Sequence, residues 1–346
     1  MESVAFALHS QIEKLSDQNI AHQKCGAGAF GKGLPHPNKL SAKIDCRCEN
    51  LRTFVPGTGV VSNTRSVLVF GAHSDVGSCL LPCLADAGWS IYGFTRKQRS
   101  TDENAQVTWV TAADFQEPSF ADGIEIPIVI SLMPIWALPD YQQILESIQA
   151  TTLIAFSSTS IITKATSKSK KERRIASLLQ RGEAWANDEF ACDNRSALIL
   201  RPTMIYGGTH NRNVNRLARL IKVFRFFLLS GDGAGRRQPV HAEDLAQLCL
   251  RCLQNHQPGA RTYLLAGGET LRYREMIERI FSSAGLSPRI LTLPTFLMRG
   301  IVRILRWLPN QNDVTLEMVE RMEQDLCYDD REAINELGWH PREFQP

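Results

Sequence analysis

Residues 66–77, Ser-Val-Leu-Val-Phe-Gly-Ala-His-Ser-Asp-Val-Gly, decide the fold. Ser66–Phe70 is a short β-branched and apolar run without polar alternation, which describes a strand covered on both faces, as in a parallel sheet. Gly71 ends it, and Val76 to Ala87 carries helical spacing that stops at Gly88. Glycines between a strand and a helix let the chain turn tightly and let an anion approach the backbone. There the first N–H groups of the helix and its dipole favour negative charge. Ser74 stands where a G-x-x-G-x-x-G pattern has its middle glycine, and it is small enough to keep that approach open. The same residues would also make a plain strand–helix turn, so the rest of the chain has to supply the context.

The alternation continues. Strands are expected at Ser90–Phe94, 107–110, 126–132, 152–157 and 197–201, with helices at 139–149 and about 171–190 between them. Such alternation implies a parallel sheet with right-handed crossovers. The expectation is an α/β fold: a Rossmann doubly wound parallel sheet over 65–205, with a smaller C-terminal substrate lobe over 206–346 whose segments return to the core. In that lobe helices are expected at 212–224, 243–253, 273–284 and 315–325, and strands at 238–241 and 263–266. A lobe so placed closes over the carboxyl edge of the sheet, where open α/β sheets bind ligands. Residues 1–64 are rich in Gly, Pro, Lys and Asn and lack sustained periodicity, so a disordered N-terminal extension is expected.

Composition narrows the classes. Of 346 residues, 43% are apolar and 22% charged, and the formal charge is +3. This is ordinary for a soluble globular chain and gives no clustered basic face for nucleic acid. Six of the eleven residues from Lys164 to Arg174 are Lys or Arg, read as a solvated loop and helix start. No apolar run approaches the length of a spanning helix and no secretory layout opens the chain, so a cytoplasmic location is expected. Nine scattered cysteines suit reduced thiols. Cys249 and Cys252 share a helix face, and Cys25, Cys46 and Cys48 lack the second ligand pair of a zinc site; no metal is expected. The segment Pro294–Pro309 is amphipathic, with arginines three to four apart. It is read as a lobe helix with its apolar face packed rather than as a membrane-surface helix.

Three places carry candidate chemistry. Arg96 follows the second strand, and no Asp or Glu occurs between Asp86 and Asp102. An acidic residue there would hold a ribose 2′-hydroxyl, whereas arginine accommodates a 2′-phosphate, so NADP(H) is favoured over NAD(H). Asp114 lies after the third strand, either near the adenine or as a cap of the next helix. Phe156-Ser-Ser-Thr-Ser160 ends a central strand with hydroxyls, among them Ser158 and Thr159, that could bond a substrate hydroxyl or carbonyl.

Further motifs follow in order: Arg201-Pro-Thr-Met-Ile-Tyr-Gly207, Gln238-Pro-Val-His-Ala-Glu-Asp244 and Leu337-Gly-Trp-His-Pro-Arg342. Together with the glycine turn and Ser157-Ser-Thr159, they make the chain resemble the extended or atypical short-chain dehydrogenases, the NAD-dependent epimerase/dehydratase family, over roughly 66–344. The resemblance implies that Gly71, Ala72, Asp75, Val76 and Gly77 line a pyrophosphate and that Ser158 is the active-site hydroxyl. It also implies that Pro202 and Thr203 flank the nicotinamide, and that Arg236 or Arg237 approaches the diphosphate of a nucleotide sugar. One departure stands out. The family's Tyr-x-x-x-Lys belongs on the helix after strand five, where the tyrosine moves a proton as hydride moves. No tyrosine occurs between Tyr141 and Tyr206. The stand-ins are Ser177-x-x-x-Arg181, Tyr206, or a lysine of Lys164–Lys171. The expected function is an NAD(P)-binding, epimerase/dehydratase-like or reductase-like protein for a nucleotide sugar or related hydroxyl or keto compound. A catalytically inactive NAD(P)-binding regulatory or assembly protein is the alternative. The expected partner is a small molecule, not nucleic acid or a membrane, with a homodimer left open.

Overall fold

The computed structural model describes residues 65–96, 106–117, 125–190, 194–208, 214–254, 259–305 and 316–346. The extension expected at 1–64 lies outside the described residues. Seven parallel strands form the main sheet: β1 (Ser66–Phe70), β2 (Ser90–Phe94), β3 (Val107–Val110), β4 (Ile128–Ser131), β5 (Thr152–Phe156), β6 (Ser196–Pro202) and β11 (Gly259–Leu265). Their order is β11-β6-β5-β4-β1-β2-β3. The chain winds outward from β1 to β3, then returns to lay β4 on the other side of β1. The crevice beyond the carboxyl ends of β1 and β4 is therefore the topological switch point, where such folds take ligands.

β1 shows why the run is apolar throughout. Val67 and Val69 enter the core shared with helices α1 (Asp75–Asp86) and α6 (Ala242–Gln254), whereas Leu68 and Phe70 enter the opposite core. That second core is closed by α4 (Lys170–Glu189) and a 3₁₀ turn over Ile135–Tyr141. All four side chains are fully buried. Cys249 and Cys252 lie on the α6 face against α1, and burial pushes the Cys252 thiol up to about 11.

Several boundaries differ from expectation for local reasons. β4 begins at Ile128 because Pro127 has no N–H to give the ladder; its carbonyl instead accepts from Thr151 and Thr152. The segment 139–149 is the end of that 3₁₀ turn, holding Pro139, followed by the short α2 (Gln142–Ser147). The expected lobe strand at 263–266 is longer and is the seventh strand of the main sheet, paired with β6. The expected helix at 315–325 is the shorter α9 (Leu316–Arg321).

The remaining elements are α3 (Ser160–Thr163), α5 (Val214–Phe224), α7 (Tyr273–Ser283), α8 (Thr295–Leu305) and α10 (Arg331–Leu337). Three two-stranded ribbons accompany them: β7 (Ile205–Tyr206) with β10 (Val240–His241), β9 (Arg236–Arg237) with β12 (Leu271–Arg272), and β8 (Phe227–Ser230) with β13 (Ile290–Leu293). Among the described residues no helix is long and apolar enough to cross a membrane.

Candidate functional site

The glycine turn is built by close packing. Gly71 takes φ +72°, and a Cβ there would come within 2.9 Å of the Leu132 carbonyl carbon. A Cβ on Gly77 would lie 2.6 Å from the Ala72 carbonyl carbon and nearer still to its oxygen. Both positions need glycine, one for conformation and one for space. Ser74, in the place of a glycine, donates its N–H to the Gly71 carbonyl at 2.9 Å and caps α1 by accepting from the Gly77 N–H at 3.1 Å. Asp75 opens the helix with its carboxylate against Gly208, where a Cβ would meet Asp75 Cγ at 2.7 Å. Val76 and Ala72 are buried beside it.

Arg96 is exposed just past β2, close enough to act on the Tyr141 phenol, which burial raises and the Arg96 charge lowers. The Asp114 carboxylate is used locally: Oδ2 accepts from the Thr111 N–H at 2.6 Å and hydroxyl at 2.8 Å, closing the turn that leads into a 3₁₀ helix. Asp114 does not cap that helix: it is its first residue, Ala113 holds the cap position without a side-chain bond, and the carboxylate reaches back to Thr111 instead.

At the end of β5 the hydroxyls are mostly spent. Ser157 donates to the buried Glu183 carboxylate on α4, which also receives the Arg201 guanidinium from β6, Nε to Oε1 at 2.9 Å. Ser158 Oγ accepts from the Ser160 N–H at 3.1 Å, and Thr159 Oγ1 donates to the Pro202 carbonyl at 3.3 Å. Thr203 donates its hydroxyl to the Gln238 carbonyl. The buried Ser131 and Ser160 hydroxyls at this edge have no hydrogen-bond partner among the described residues.

Four expected stand-ins change role. Ser177 and Arg181 lie on the exposed side of α4, because the helix turns Ile175, Leu179 and Glu183 inward; three- and four-residue steps put these on one face. Tyr206 is buried, but its hydroxyl donates to the Glu343 carbonyl at 3.0 Å and accepts from the Gln345 N–H at 3.2 Å, fastening the C-terminal segment. Lys164 is not solvated: it is 2% exposed, and its charge reaches Glu172. Burial raises that carboxyl, yet hydrogen bonds from Arg321 and Ser167, with the charges of Arg321 and Lys164, carry it below its ordinary value.

The arginines expected at a diphosphate are engaged too. Arg236 pairs with Asp325 at 2.7 Å, and Arg237 donates to the carbonyls of Arg236, Gln324 and Arg321.

Two contributors escaped the sequence. Tyr328, from the segment after α9, brings a phenol beside Thr163 and Thr159; burial raises it and these hydroxyls partly offset the shift. Its N–H donates to Gln238 Oε1 at 2.7 Å. No spacing announces it, because it reaches the strand-five edge only through the lobe. His73 stacks on Trp109 of β3 with centroids 4.4 Å apart, closing the β2–β3 side of the turn.

Residues 182–266, from the end of α4 to just past β11, match the model of the NAD dependent epimerase/dehydratase family. A curated relative, the mitochondrial NADH dehydrogenase (ubiquinone) 1 alpha subcomplex subunit 9 of Arabidopsis thaliana, is 30% identical over 120 residues. That match covers 34% of this chain and spans about three tenths of the relative, 29% of its length. An epimerase from Methanothermobacter thermautotrophicus superposes with a TM-score of 0.60 at 15% identity, covering 82% of this chain and 89% of that one. A UDP-glucuronic acid 4-epimerase from Bacillus cereus, solved with NAD, gives 0.55 at 16% identity over 81% and 94%. At such identities the likeness is one of fold.

Proposed function

We propose that this chain, whose residues 182–266 match the NAD dependent epimerase/dehydratase model, is a member of that family that binds a nicotinamide dinucleotide at the switch point without running the family's proton relay. One observation carries the reading. The inward face of α4 is Ile175, Ala176, Leu179, Gly182, Glu183 and Ala186, with no tyrosine or lysine, and Glu183 is bound to Ser157 and Arg201. No side chain on that helix is placed to exchange a proton with a substrate.

The glycine turn fits a dinucleotide. Its two glycines pack directly on the backbone of Ala72 and Leu132, which draws the turn tightly against the N-terminus of a twelve-residue helix, where an anion is favoured. Gly71, Ala72, Ser74, Asp75, Val76 and Gly77 would hold the pyrophosphate, with Asp114 on the adenine side. Pro202 and Thr203 would flank the nicotinamide, which when bound supplies a hydride donor or acceptor. Arg96 would take a 2′-phosphate and so favour NADP(H). The second ligand is a nucleotide sugar or related hydroxyl or keto compound, bound in the cytoplasm by a regulatory or assembly protein.

A second reading rests on Tyr328. Its buried phenol, beside Thr159 and without a hydrogen-bond partner among the described residues, could replace the missing tyrosine as a proton donor in a reductase, although burial raises it and so weakens it as an acid. Titrating the chain with NADPH and NADH, then assaying UDP-sugars with each cofactor in wild type, Ser158→Ala and Tyr328→Phe, separates the two. Cofactor binding without hydride exchange supports the first. Turnover abolished by Tyr328→Phe supports the second. Failure to bind either dinucleotide sinks both.

A further inference from the structure

We propose that the β8–β13 ribbon, with the adjoining ends of α5 and α8, is a docking surface for an anionic phospholipid bilayer. This goes beyond the dinucleotide reading and does not depend on it. Among the described residues, six of the seven exposed large apolar side chains belong to these segments. They are Val223, Phe224, Phe226, Leu291, Phe296 and Leu297, with Val223 72% and Phe296 70% exposed.

The ribbon makes them one patch. Phe227 N–H donates to the Arg289 carbonyl at 2.9 Å, which puts Phe226 beside the start of β13. Ser230 meets Thr295 hydroxyl to hydroxyl at 3.1 Å, which puts Phe296 at the far end. Leu291 stands exposed between them. Four ladder steps span only about 13 Å. At the near end five consecutive residues, Lys222-Val-Phe-Arg-Phe226, are exposed, and the left-handed Arg225 turns the chain so that the Phe224 and Phe226 rings sit 6.2 Å apart.

The exposed side chains are not unfinished packing. α8 already buries Met298 and Val302 against Val319 of α9, with Leu228 and Leu293 of the ribbon at the border. That is the packed lobe helix expected from the sequence. Its other face, with Phe296, Leu297, Arg299 and Arg303, is left outside.

Charge selects the occupant. Segments 214–230 and 284–305 hold seven Lys or Arg and no Asp or Glu. Arg299 pairs with Glu320 of α9 and Arg216 is engaged as well, whereas Lys222 and Arg225 stand exposed at the near end. Two copies of this face would set cations against cations, which opposes a symmetric dimer. Anionic headgroups match the cations, while phenylalanine and leucine tips settle at the headgroup–acyl boundary and the long basic stems reach back to the phosphates.

Co-sedimentation of the full chain with vesicles of phosphatidylcholine alone, and with phosphatidylglycerol added, tests this. Binding is expected only with phosphatidylglycerol and should fall steeply at about 1 M salt, where the screening length is about 3 Å. Each cation near the surface contributes about 1 kcal/mol, a factor of about five, so Lys222→Glu/Arg225→Glu should weaken partitioning at least about 25-fold. Phe224→Ser/Phe226→Ser and Phe296→Ser should each weaken it too. All these side chains are exposed, so unchanged melting will show that the variants are folded. No binding of wild type to the anionic vesicles would overturn the proposal, as would equal binding to phosphatidylcholine alone. Self-association in the ultracentrifuge that the same substitutions abolish would assign the patch to a second copy instead.

Discussion

Replacing Gly77 by alanine adds one methyl group at the tightest point of the glycine turn. The new Cβ would sit 2.6 Å from the Ala72 carbonyl carbon and 2.9 Å from its Cα, all backbone and none able to rotate aside. Restoring ordinary contact needs a shift of about 1 Å between the turn and α1, because repulsion rises steeply below van der Waals distance. Overpacking of this kind costs about 1–3 kcal/mol of stability, which lowers the melting temperature by several degrees for a chain of this size. The effect on binding should be larger in proportion. A displacement of about 1 Å carries an N–H···O bond out of range, and each such bond to a charged phosphate contributes about 1.5–3 kcal/mol. Losing one weakens NADPH about 10- to 150-fold. Gly88→Ala is the control: φ is +75° but nothing lies within 4 Å of the new Cβ. It should cost about 1–2 kcal/mol of stability through left-handed strain and leave the dinucleotide alone. Fluorescence titration with calorimetric melting reads both quantities. Wild-type affinity in Gly77→Ala, with the melting temperature lowered, would show that no pyrophosphate sits at the α1 N-terminus.

Arg96→Ala should weaken NADPH by about 1.5–3 kcal/mol, the scale of a charge-assisted hydrogen bond, and barely change NADH; equal losses in the two titrations would remove Arg96 from the 2′-phosphate. Glu183→Ala should destabilise the fold by about 3 kcal/mol in urea unfolding, the low end of the range for breaking a buried pair, since Arg201 keeps 25% of its side chain exposed. An unchanged midpoint would mean that Ser157 and Arg201 do not depend on it. The Glu172 carboxyl lies below its ordinary value of 4.5 because the hydrogen bonds and charges of Arg321, Ser167 and Lys164 outweigh burial. Its contribution is therefore complete above about pH 4.5 and is lost as pH falls through the lower folded value. Unfolding free energy should decline more steeply on acidification in wild type than in Glu172→Gln, and parallel profiles would refute the link.

The parts of the fold legible in the sequence are those set by local physics. A five-residue strand and the glycine turn that leads into a helix are specified within twelve residues and stand where the spacing puts them; the cap that Ser74 provides, one residue before the helix starts at Asp75, was not expected. The place of Gly259–Leu265 in the main sheet was not legible, because pairing with Ser196–Pro202 is settled by contacts across some sixty residues. α4 is an intermediate case. Its inward set of Ile175, Leu179, Glu183 and Ala186 follows the helical period. The hydroxyl and cation four apart on this helix, Ser177 and Arg181, fall on its wet face. The partners of Arg236 and Arg237 were not legible either, because Asp325 and the main-chain carbonyls of Gln324 and Arg321 meet them from residues more than eighty positions away.

The bonds at the carboxyl edge of the sheet share a consequence for chemistry. Ser157 with Glu183 and Arg201 ties β5 and β6 to α4; Thr203 with Gln238, and Gln238 with Tyr328, join the sheet to the lobe; Tyr206 holds the C-terminal segment. Each of these bonds closes the structure around the sheet edge. Freeing one for catalysis would leave a buried partner unsatisfied, at about 1–3 kcal/mol. The Ser74 and Gly77 amides are already bonded within the turn, but the other first-turn N–H groups of α1 carry no such penalty, because a helix N-terminus leaves donors without partners inside the helix. On the proposed reading, dinucleotide binding and proton transfer are therefore separable. The first needs only Gly71, Gly77 and the start of α1. The second needs a group from outside the usual helix, and Tyr328, held beside Thr159 by the lobe, is the phenol in that position.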